Sequence, residues 1–167
     1  MIAESRARAV LEAARARGVM VATAESCTGG LVAAALTDIA GSSDVFDRGF
    51  LTYSYPAKTA MLGVPEALLA QHGAVSEPVA RAMATGALAA SNAGAAVAVT
   101  GVAGPGGSEA KPEGLVWFAV ATPAGVRAER RDFGPLGRAA VRQASAETAL
   151  DLLIAALKDF SERSDAG

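Results

Sequence analysis

Apolar residues recur along the chain in two patterns, one typical of helices and one typical of buried strands. Helical spacing predicts helices over residues 4–17, 31–39, 77–91 and 136–160, and short helices that begin at Pro56 and after Pro65. Apolar runs predict strands over residues 19–23, 49–53, 95–100 and 115–121, and an alternating edge strand over 126–133. Strands therefore alternate with helices along most of the chain.

This order of elements determines the expected fold class. Strands separated by helices form parallel neighbours, whereas the turn at residues 122–125 predicts an antiparallel hairpin. We therefore expect one three-layer α/β/α domain over residues 1–160, with a mixed, mostly parallel sheet of about five strands. Residues 161–167 are polar and are predicted to be a tail.

Composition and charge narrow the class of protein. Hydrophobic residues make up 51% of the 167 residues, which excludes the disordered and fibrous classes. The formal net charge of −2 does not favour a nucleic-acid partner. The N-terminal segment lacks the apolar stretch of a secretory signal, and no run has the length of a membrane span. The single cysteine suits a reducing compartment, so we expect a cytoplasmic protein.

A polar turn, the first loop (residues 25–30), follows the first buried strand and leads into a helix. Ligands of open α/β sheets bind at such positions, and the free N–H groups of a helix N-terminus favour an anion or an oxyanion. Gly29 and Gly30 allow a ligand to approach the backbone closely. Glycines that serve packing alone are an equally good explanation on these grounds.

A second loop (residues 100–108) follows the third strand and is richer in glycine. Its N–H groups are candidates for a phosphate-binding nest. The loop lacks the lysine of a P-loop and the G-x-G-x-x-G pattern of a dinucleotide fold. A nucleoside triphosphatase or a Rossmann dehydrogenase is therefore not expected.

The first loop also contains three adjacent candidate nucleophiles, Ser26, Cys27 and Thr28. A serine needs a neighbouring base, and Lys58 is the better candidate because a lysine desolvated in a pocket loses its proton near neutral pH. The competing interpretation is an exposed surface lysine. His72, the only histidine, fits a helix end beside a glycine better than a catalytic triad. Cys27 is either a nucleophile or a small buried filler.

Metal chemistry is not expected, since one histidine and one cysteine without a close acidic cluster cannot form a typical metal site. The basic residues instead cluster late in the chain. That cluster suits a single phosphate, although solvated helix and strand faces explain such clusters more often. Its members are Arg127, Arg130, Arg131, Arg138 and Arg142.

Several short motifs together resemble the CinA C-terminal domain family. The resemblance spans roughly residues 5–157, in order and with compatible spacing, and its motifs are specific only as a set. They are residues 24–30 (AESCTGG), 41–43 (GSS), 52–54 (TYS) with 57–58 (AK), 73–77 (GAVSE), 100–105 (TGVAGP), and 111–117, of which Lys111-Pro112, Gly114 and Val116-Trp117 fit. Tyr55-Pro56, Glu113 and Leu115 depart from the family's usual residues.

The resemblance implies a nicotinamide mononucleotide deamidase, which forms nicotinic acid mononucleotide and ammonia without a cofactor. We hypothesise that Ser26 attacks the carboxamide, that Lys58 is the general base and then the proton donor, and that Tyr53 orients Lys58 or the substrate. The expected substrate contacts are Cys27, Thr28, Gly29, Gly30, Ser42, Thr100, Gly101, Gly104 and Arg142. The residues leave open which nucleophile reacts and which loop holds the phosphate.

Two other functions remain open at this point. A non-catalytic nucleotide-binding regulatory module would use the same loops without the chemistry of Ser26 and Lys58. An interaction domain linked to DNA uptake or repair is suggested only by the family's competence-related name, and the acidic composition argues against direct DNA contact. We expect no nucleic-acid or membrane partner, and we expect a homo-oligomer, a dimer in the first instance.

Overall fold

The computed structural model describes residue 2 and residues 4–164, and it has six helices and five strands in this part of the chain. The helices are α1 (Glu4–Arg17), α2 (Leu31–Thr37), α3 (Tyr55–Leu62), α4 (Glu66–His72), α5 (Glu77–Ala89) and α6 (Arg138–Ser164). The strands are β1 (Met20–Glu25), β2 (Phe46–Leu51), β3 (Ala93–Gly101), β4 (Leu115–Thr122) and β5 (Gly125–Asp132). A 3-10 turn covers Ser42–Asp44.

The strands form one sheet in the order β2-β1-β3-β4-β5. β1 pairs in parallel with β2 and with β3, while β3–β4 and β4–β5 are antiparallel. The mixed α/β/α domain is therefore confirmed, but the expected majority of parallel pairs is wrong. After β3 the chain reaches β4 through a loop and not a helix, and a connection without a crossover gives an antiparallel neighbour.

The two faces of the sheet carry side chains of different size. On one face Val97, Val99 and Phe118 pack with α1, α2 and α6. On the other, small alanines of β1, β3 and β4 pack with α5 and the end of α3. Small residues let α5 approach closely, and a Cβ on Gly86 would lie only 2.0 Å from the carbonyl oxygen of Leu62. Two apolar cores thus enclose the sheet.

Both boundaries of β2 differ from the prediction, since the strand covers residues 46–51 instead of the predicted 49–53. Its first half is polar because Asp47 and Arg48 bind the turn before β3: the Asp47 carboxylate accepts from the Asn92 N–H, and Arg48 donates to the Ala90 carbonyl. Because these two side chains are charged, the start of β2 does not appear as an apolar run in the sequence.

The last helix is longer than predicted. α6 continues to Ser164, four residues beyond the predicted end at 160, and the rest of the predicted tail, residues 165–167, lies outside the described residues. Within residues 2 and 4–164, each helix is too short or too polar to cross a lipid bilayer.

Candidate functional site

The candidate site lies where β1, β2 and β3 end at one edge of the sheet. The backbone N–H of Ser26 donates to the carbonyl of Val99 (3.0 Å), and the N–H of Thr52 donates to that of Glu25 (2.9 Å). The chain leaves β1 through α2 on one face and leaves β2 through α3 on the other, so a crevice opens beside β1 at this edge. Open α/β sheets bind their ligands at such a switch point.

Ser26 and Lys58 meet in this crevice. The Nζ atom of Lys58 lies 2.9 Å from the Oγ atom of Ser26, and it also donates to the carbonyl of Thr52 at 2.6 Å. Lys58 reaches the crevice from the first turn of α3, which the Ser54 hydroxyl caps by accepting from the Ala57 N–H. The two side chains predicted as nucleophile and base are thus in hydrogen-bond contact, although they are far apart in the sequence.

The environment of Lys58 lowers the pKa of its ammonium group. The residue is 0% exposed, and desolvation lowers its pKa from 10.5 to about 8, against smaller opposing effects of Cys27 and Glu109. At neutral pH a useful fraction of Lys58 is therefore neutral and able to accept a proton. The competing interpretation, an exposed surface lysine, is wrong.

The other two candidate nucleophiles have different surroundings. Cys27 is buried, and desolvation raises the pKa of its thiol to about 12, so the thiolate is scarce at neutral pH. The Thr28 hydroxyl donates to the Glu25 carboxylate at 2.7 Å. Of the three, only Ser26 has its hydroxyl in hydrogen-bond contact with Lys58.

Glu25 is a residue of this site that the sequence analysis missed. Its buried carboxylate accepts from the Thr28 hydroxyl and from the N–H groups of Val32 (2.9 Å) and Ala33 (3.0 Å) in the first turn of α2. It fixes the first loop and occupies the helix N-terminus that was predicted to bind an anion. The available signal was a carboxylate at the end of a buried strand just before a helix start.

Arg142, predicted to contact the substrate, holds the back of the first loop. Its Nε donates to the Cys27 carbonyl (3.1 Å) and one Nη to the Thr28 carbonyl (3.2 Å). A Cβ on Gly29 would lie 2.9 Å from the same guanidinium, and both Gly29 and Gly30 have positive φ. Within the described residues, the N–H groups of Thr28 and Gly30 have no hydrogen-bond partner, so they remain available to a ligand oxygen.

Tyr53 lies at the mouth of the crevice and is 62% exposed. Its carbonyl is 3.5 Å from the Nζ of Lys58, and its hydroxyl accepts a hydrogen bond from Arg138 at 3.0 Å. Arg138 also donates to the carbonyl of Gly104 at 2.7 Å. The side chain of Tyr53 therefore faces Arg138 and solvent, and only its backbone contacts Lys58.

The second loop is less free than predicted. Thr100 and Gly101 belong to β3, the Thr100 hydroxyl donates to the Ala74 carbonyl, and a Cβ on Gly101 would collide with Val116. The Gly106 N–H donates to the Glu113 carboxylate at 3.0 Å, and Gly104 directs its carbonyl to Arg138. A carboxylate of the protein thus occupies part of the predicted phosphate nest.

Ser42, another predicted substrate contact, lies at the opposite end of the sheet. Its turn leads into β2, and the Val21 N–H at the start of β1 donates to the Val45 carbonyl. With about 3.3 Å per strand residue, Val21 and Ser26 are about 17 Å apart. Within one chain, Ser42 is not part of the Ser26 site.

An exposed tyrosine and an exposed glutamate connect the start of α3 to the β3–β4 connection. The Tyr55 hydroxyl donates to the Glu109 carboxylate and accepts from the Ala74 N–H at 3.1 Å. Lys111 donates to the carbonyls of His72 and Val75. These contacts attach the β3–β4 connection to the α4–α5 turn, where His72 ends α4 as predicted.

A separate cavity of about 720 Å³ lies between the β4–β5 hairpin and the end of α6. Phe118, Val126 and Leu152 are among its lining residues. None of the predicted site residues lines it. The hydroxyl–lysine contact at the edge of the sheet therefore identifies the candidate site, and this cavity does not.

Comparison with known proteins agrees with the architecture and with the motifs. The model of the CinA C-terminal domain matches residues 3–157. Among solved structures, the competence/damage inducible protein CihA from Agrobacterium tumefaciens has a TM-score of 0.90 and 50% identity, covering 95% of this chain and 98% of that one. A CinA superfamily protein from Escherichia coli has a TM-score of 0.84 and 32% identity, covering 92% of each chain.

Curated relatives include both short and long proteins. The nicotinamide-nucleotide amidohydrolase PncC of Escherichia coli strain K12 is 57% identical over 143 residues, which cover 85% of this chain and 87% of that protein. A CinA-like protein of Syntrophobacter fumaroxidans is 52% identical over 155 residues, 92% of this chain but 36% of that protein.

Proposed function

This chain belongs to the CinA C-terminal domain family, and on that premise we propose that it is a nicotinamide-nucleotide amidohydrolase. It converts nicotinamide mononucleotide and water into nicotinic acid mononucleotide and ammonia, a step of pyridine nucleotide salvage in the cytoplasm. The observation that carries the proposal is the 2.9 Å contact between the Ser26 hydroxyl and a buried lysine of lowered pKa. The name of the Escherichia coli relative supports the substrate.

In the first half of the reaction, the neutral amine of Lys58 takes the proton of the Ser26 hydroxyl while Oγ forms a bond to the carboxamide carbon. The carbonyl electron pair moves onto its oxygen, and the N–H groups of Thr28 and Gly30 are the proposed donors to that oxyanion. Lys58 then gives its proton to the amide nitrogen, the C–N bond breaks, and ammonia leaves. An ester of Ser26 remains.

In the second half, water attacks the ester carbon and Lys58 accepts a proton from it. The second tetrahedral intermediate collapses, Oγ leaves, and Lys58 returns the proton to Ser26. The product is nicotinic acid mononucleotide, whose new carboxyl group loses its remaining proton to the released ammonia, which becomes ammonium. The proton transfers of Ser26, of the amide nitrogen and of the attacking water pass through Lys58, and this chemistry requires no metal or cofactor at any step.

The supporting roles follow from the contacts at the site. Glu25 and Arg142 hold the first loop from its two sides, so the oxyanion donors keep their place before the substrate arrives. We propose that Tyr53 orients the substrate at the mouth, because its side chain points away from Lys58 and toward Arg138. The expected homodimer remains a prediction.

The test is turnover by the purified chain with EDTA present, followed as ammonia and nicotinic acid mononucleotide. We expect wild type to turn over and Lys58→Met to lose at least about 1000-fold in kcat, since removing a general base costs this much or more. Lys158→Met, at an exposed position of α6, is the matched control and should match wild type. Binding of the mononucleotide without any turnover by wild type would instead support a non-catalytic module.

A further inference from the structure

Ten of the twelve arginines of this protein divide into two groups by the partners that the structure describes. Eight of them form ion pairs with carboxylates in the described part of the chain: Arg6, Arg8, Arg15, Arg48, Arg81, Arg127, Arg130 and Arg131. In the same residues, Arg138 and Arg142 donate only to carbonyl and hydroxyl oxygens. Positive charge without a carboxylate partner therefore collects at the start of α6, beside the candidate site.

Only one of these two guanidinium groups is accessible from the mouth of the crevice. Arg142 is half-buried behind the first loop, where it binds two carbonyls of that loop. Arg138 is exposed and reaches the mouth, where it joins the Gly104 carbonyl to the Tyr53 hydroxyl. The backbone of Tyr53 in turn contacts Lys58. The side chain of one tyrosine therefore separates Arg138 from the reacting groups.

The two alternative anion sites, the N-terminus of α2 and the second loop, already have some of their N–H donors occupied. The Glu25 carboxylate takes the N–H groups of Val32 and Ala33, and the Glu113 carboxylate takes the N–H of Gly106. An arginine has five N–H donors, and two of those of Arg138 are used by Gly104 and Tyr53. The remaining donors can bind a phosphate without loss of either contact.

We propose that Arg138 selects the phosphorylated form of the substrate. This proposal rests on the function proposed above. With the carboxamide at Ser26, the ring and ribose extend toward the mouth, and the guanidinium of Arg138 binds the ribose phosphate there. Arg138 is thus a specificity-determining residue that contacts the end of the substrate away from the scissile bond.

The test compares nicotinamide mononucleotide with nicotinamide riboside, which lacks only the phosphate. For Arg138→Ala we expect kcat/KM for the mononucleotide to fall on the order of 10- to 100-fold, mostly through KM, because a hydrogen bond to a charged group is lost. The inhibition constant of the riboside against the mononucleotide should stay within about twofold of the wild-type value. The riboside has no phosphate, so the loss of Arg138 leaves its contacts with the protein unchanged. Arg138→Lys should restore part of the loss.

Arg127→Ala is the matched control, because this exposed arginine pairs with Asp159 at the far end of α6. The substitution should change neither kcat/KM for the mononucleotide nor the inhibition constant of the riboside. An equal loss for mononucleotide and riboside in Arg138→Ala would overturn the proposal and leave Arg138 as a structural contact between Gly104 and Tyr53. Failure of wild type to release ammonia at all would instead contradict the proposed function, so the two failures are distinguishable.

Discussion

The first and second loops are similar in sequence, since both are glycine-containing turns that follow buried strands, but the structure gives them different tasks. A buried carboxylate and a half-buried guanidinium hold the first loop: Glu25 binds it on one side and Arg142 on the other. Exposed or half-buried side chains, Glu113 and Arg138, hold the second. Glycine content therefore does not identify the reactive loop. The buried Glu25 and Lys58 do, because burying such a polar group costs free energy unless its hydrogen bonds are made, and the hydrogen bonds of these two residues are made to the first loop and its helix.

The largest expected difference between the loops is in catalysis. Ser26→Ala should lower kcat by roughly four orders of magnitude or more, as loss of the nucleophile does in other serine hydrolases. Ser108→Ala in the second loop should stay within about twofold of wild type, since no step of the mechanism uses it. Ammonia release under saturating substrate measures both. A comparable loss in the two variants would mean that the loops share the chemistry.

The pH dependence of activity sharpens the assignment of the base. The active form of Lys58 is neutral, and its pKa is lowered to about 8, so the active fraction grows as pH rises. We expect kcat/KM to rise about tenfold per unit below that pKa and to level above it. Lys111→Arg, beside the second loop, should leave the midpoint unchanged. A profile that is flat from about pH 6 to about pH 9, an interval that includes the pKa of Lys58, would contradict Lys58 as the base.

The two glutamates that hold the loops should differ in their effect on stability. Glu25→Gln removes a buried charge that accepts three hydrogen bonds, and we expect a loss of about 3 kcal/mol in the free energy of unfolding. Glu113→Gln weakens one contact of the half-buried Glu113 side chain and should cost less than about 1 kcal/mol. Urea titration measures the free energy of unfolding of both variants. Equal losses would show that the two glutamates stabilise their loops to the same extent.

The smallest effect is expected at Cys27. Its thiol has a pKa raised to about 12 by burial, so it contributes little thiolate at neutral pH. Cys27→Ala should keep kcat within about twofold of wild type, because a protonated buried thiol is inert. A loss of kcat as large as that of Ser26→Ala would identify Cys27 as the nucleophile and would contradict the role proposed for Ser26.

Much of the fold was predictable because buried strands appear in the sequence as apolar runs and the helices between them as helical spacing. In β3, Val97 and Val99 face α6 while Ala96 and Ala98 face α5. The order of elements was confirmed for the same reason. The start of β2 was not predictable, since Asp47 and Arg48 satisfy contacts made across the sheet and carry no apolar signal.

The site was predictable only where chemistry limits the choice of residue. Lys58 was the better base candidate, and its contact with Ser26 confirms their proximity. Ser42 was misplaced because it was assigned from a family motif and not from its position before β2, and the start of a strand parallel to β1 lies at the opposite end of the sheet from the end of β1. Glu25 was missed because its partners are backbone N–H groups, which any sequence supplies.

The central claim is that Ser26 becomes covalently acylated during turnover, and rapid acid quench with mass spectrometry tests it most directly. Wild type mixed with nicotinamide mononucleotide should carry the nicotinate-mononucleotide acyl group during the first turnover, and peptide mapping should locate it on Ser26. Lys58→Met should show no such adduct. An acyl group on Cys27, or complete product formation in the first turnover with no protein-bound acyl group at any time, would contradict the account.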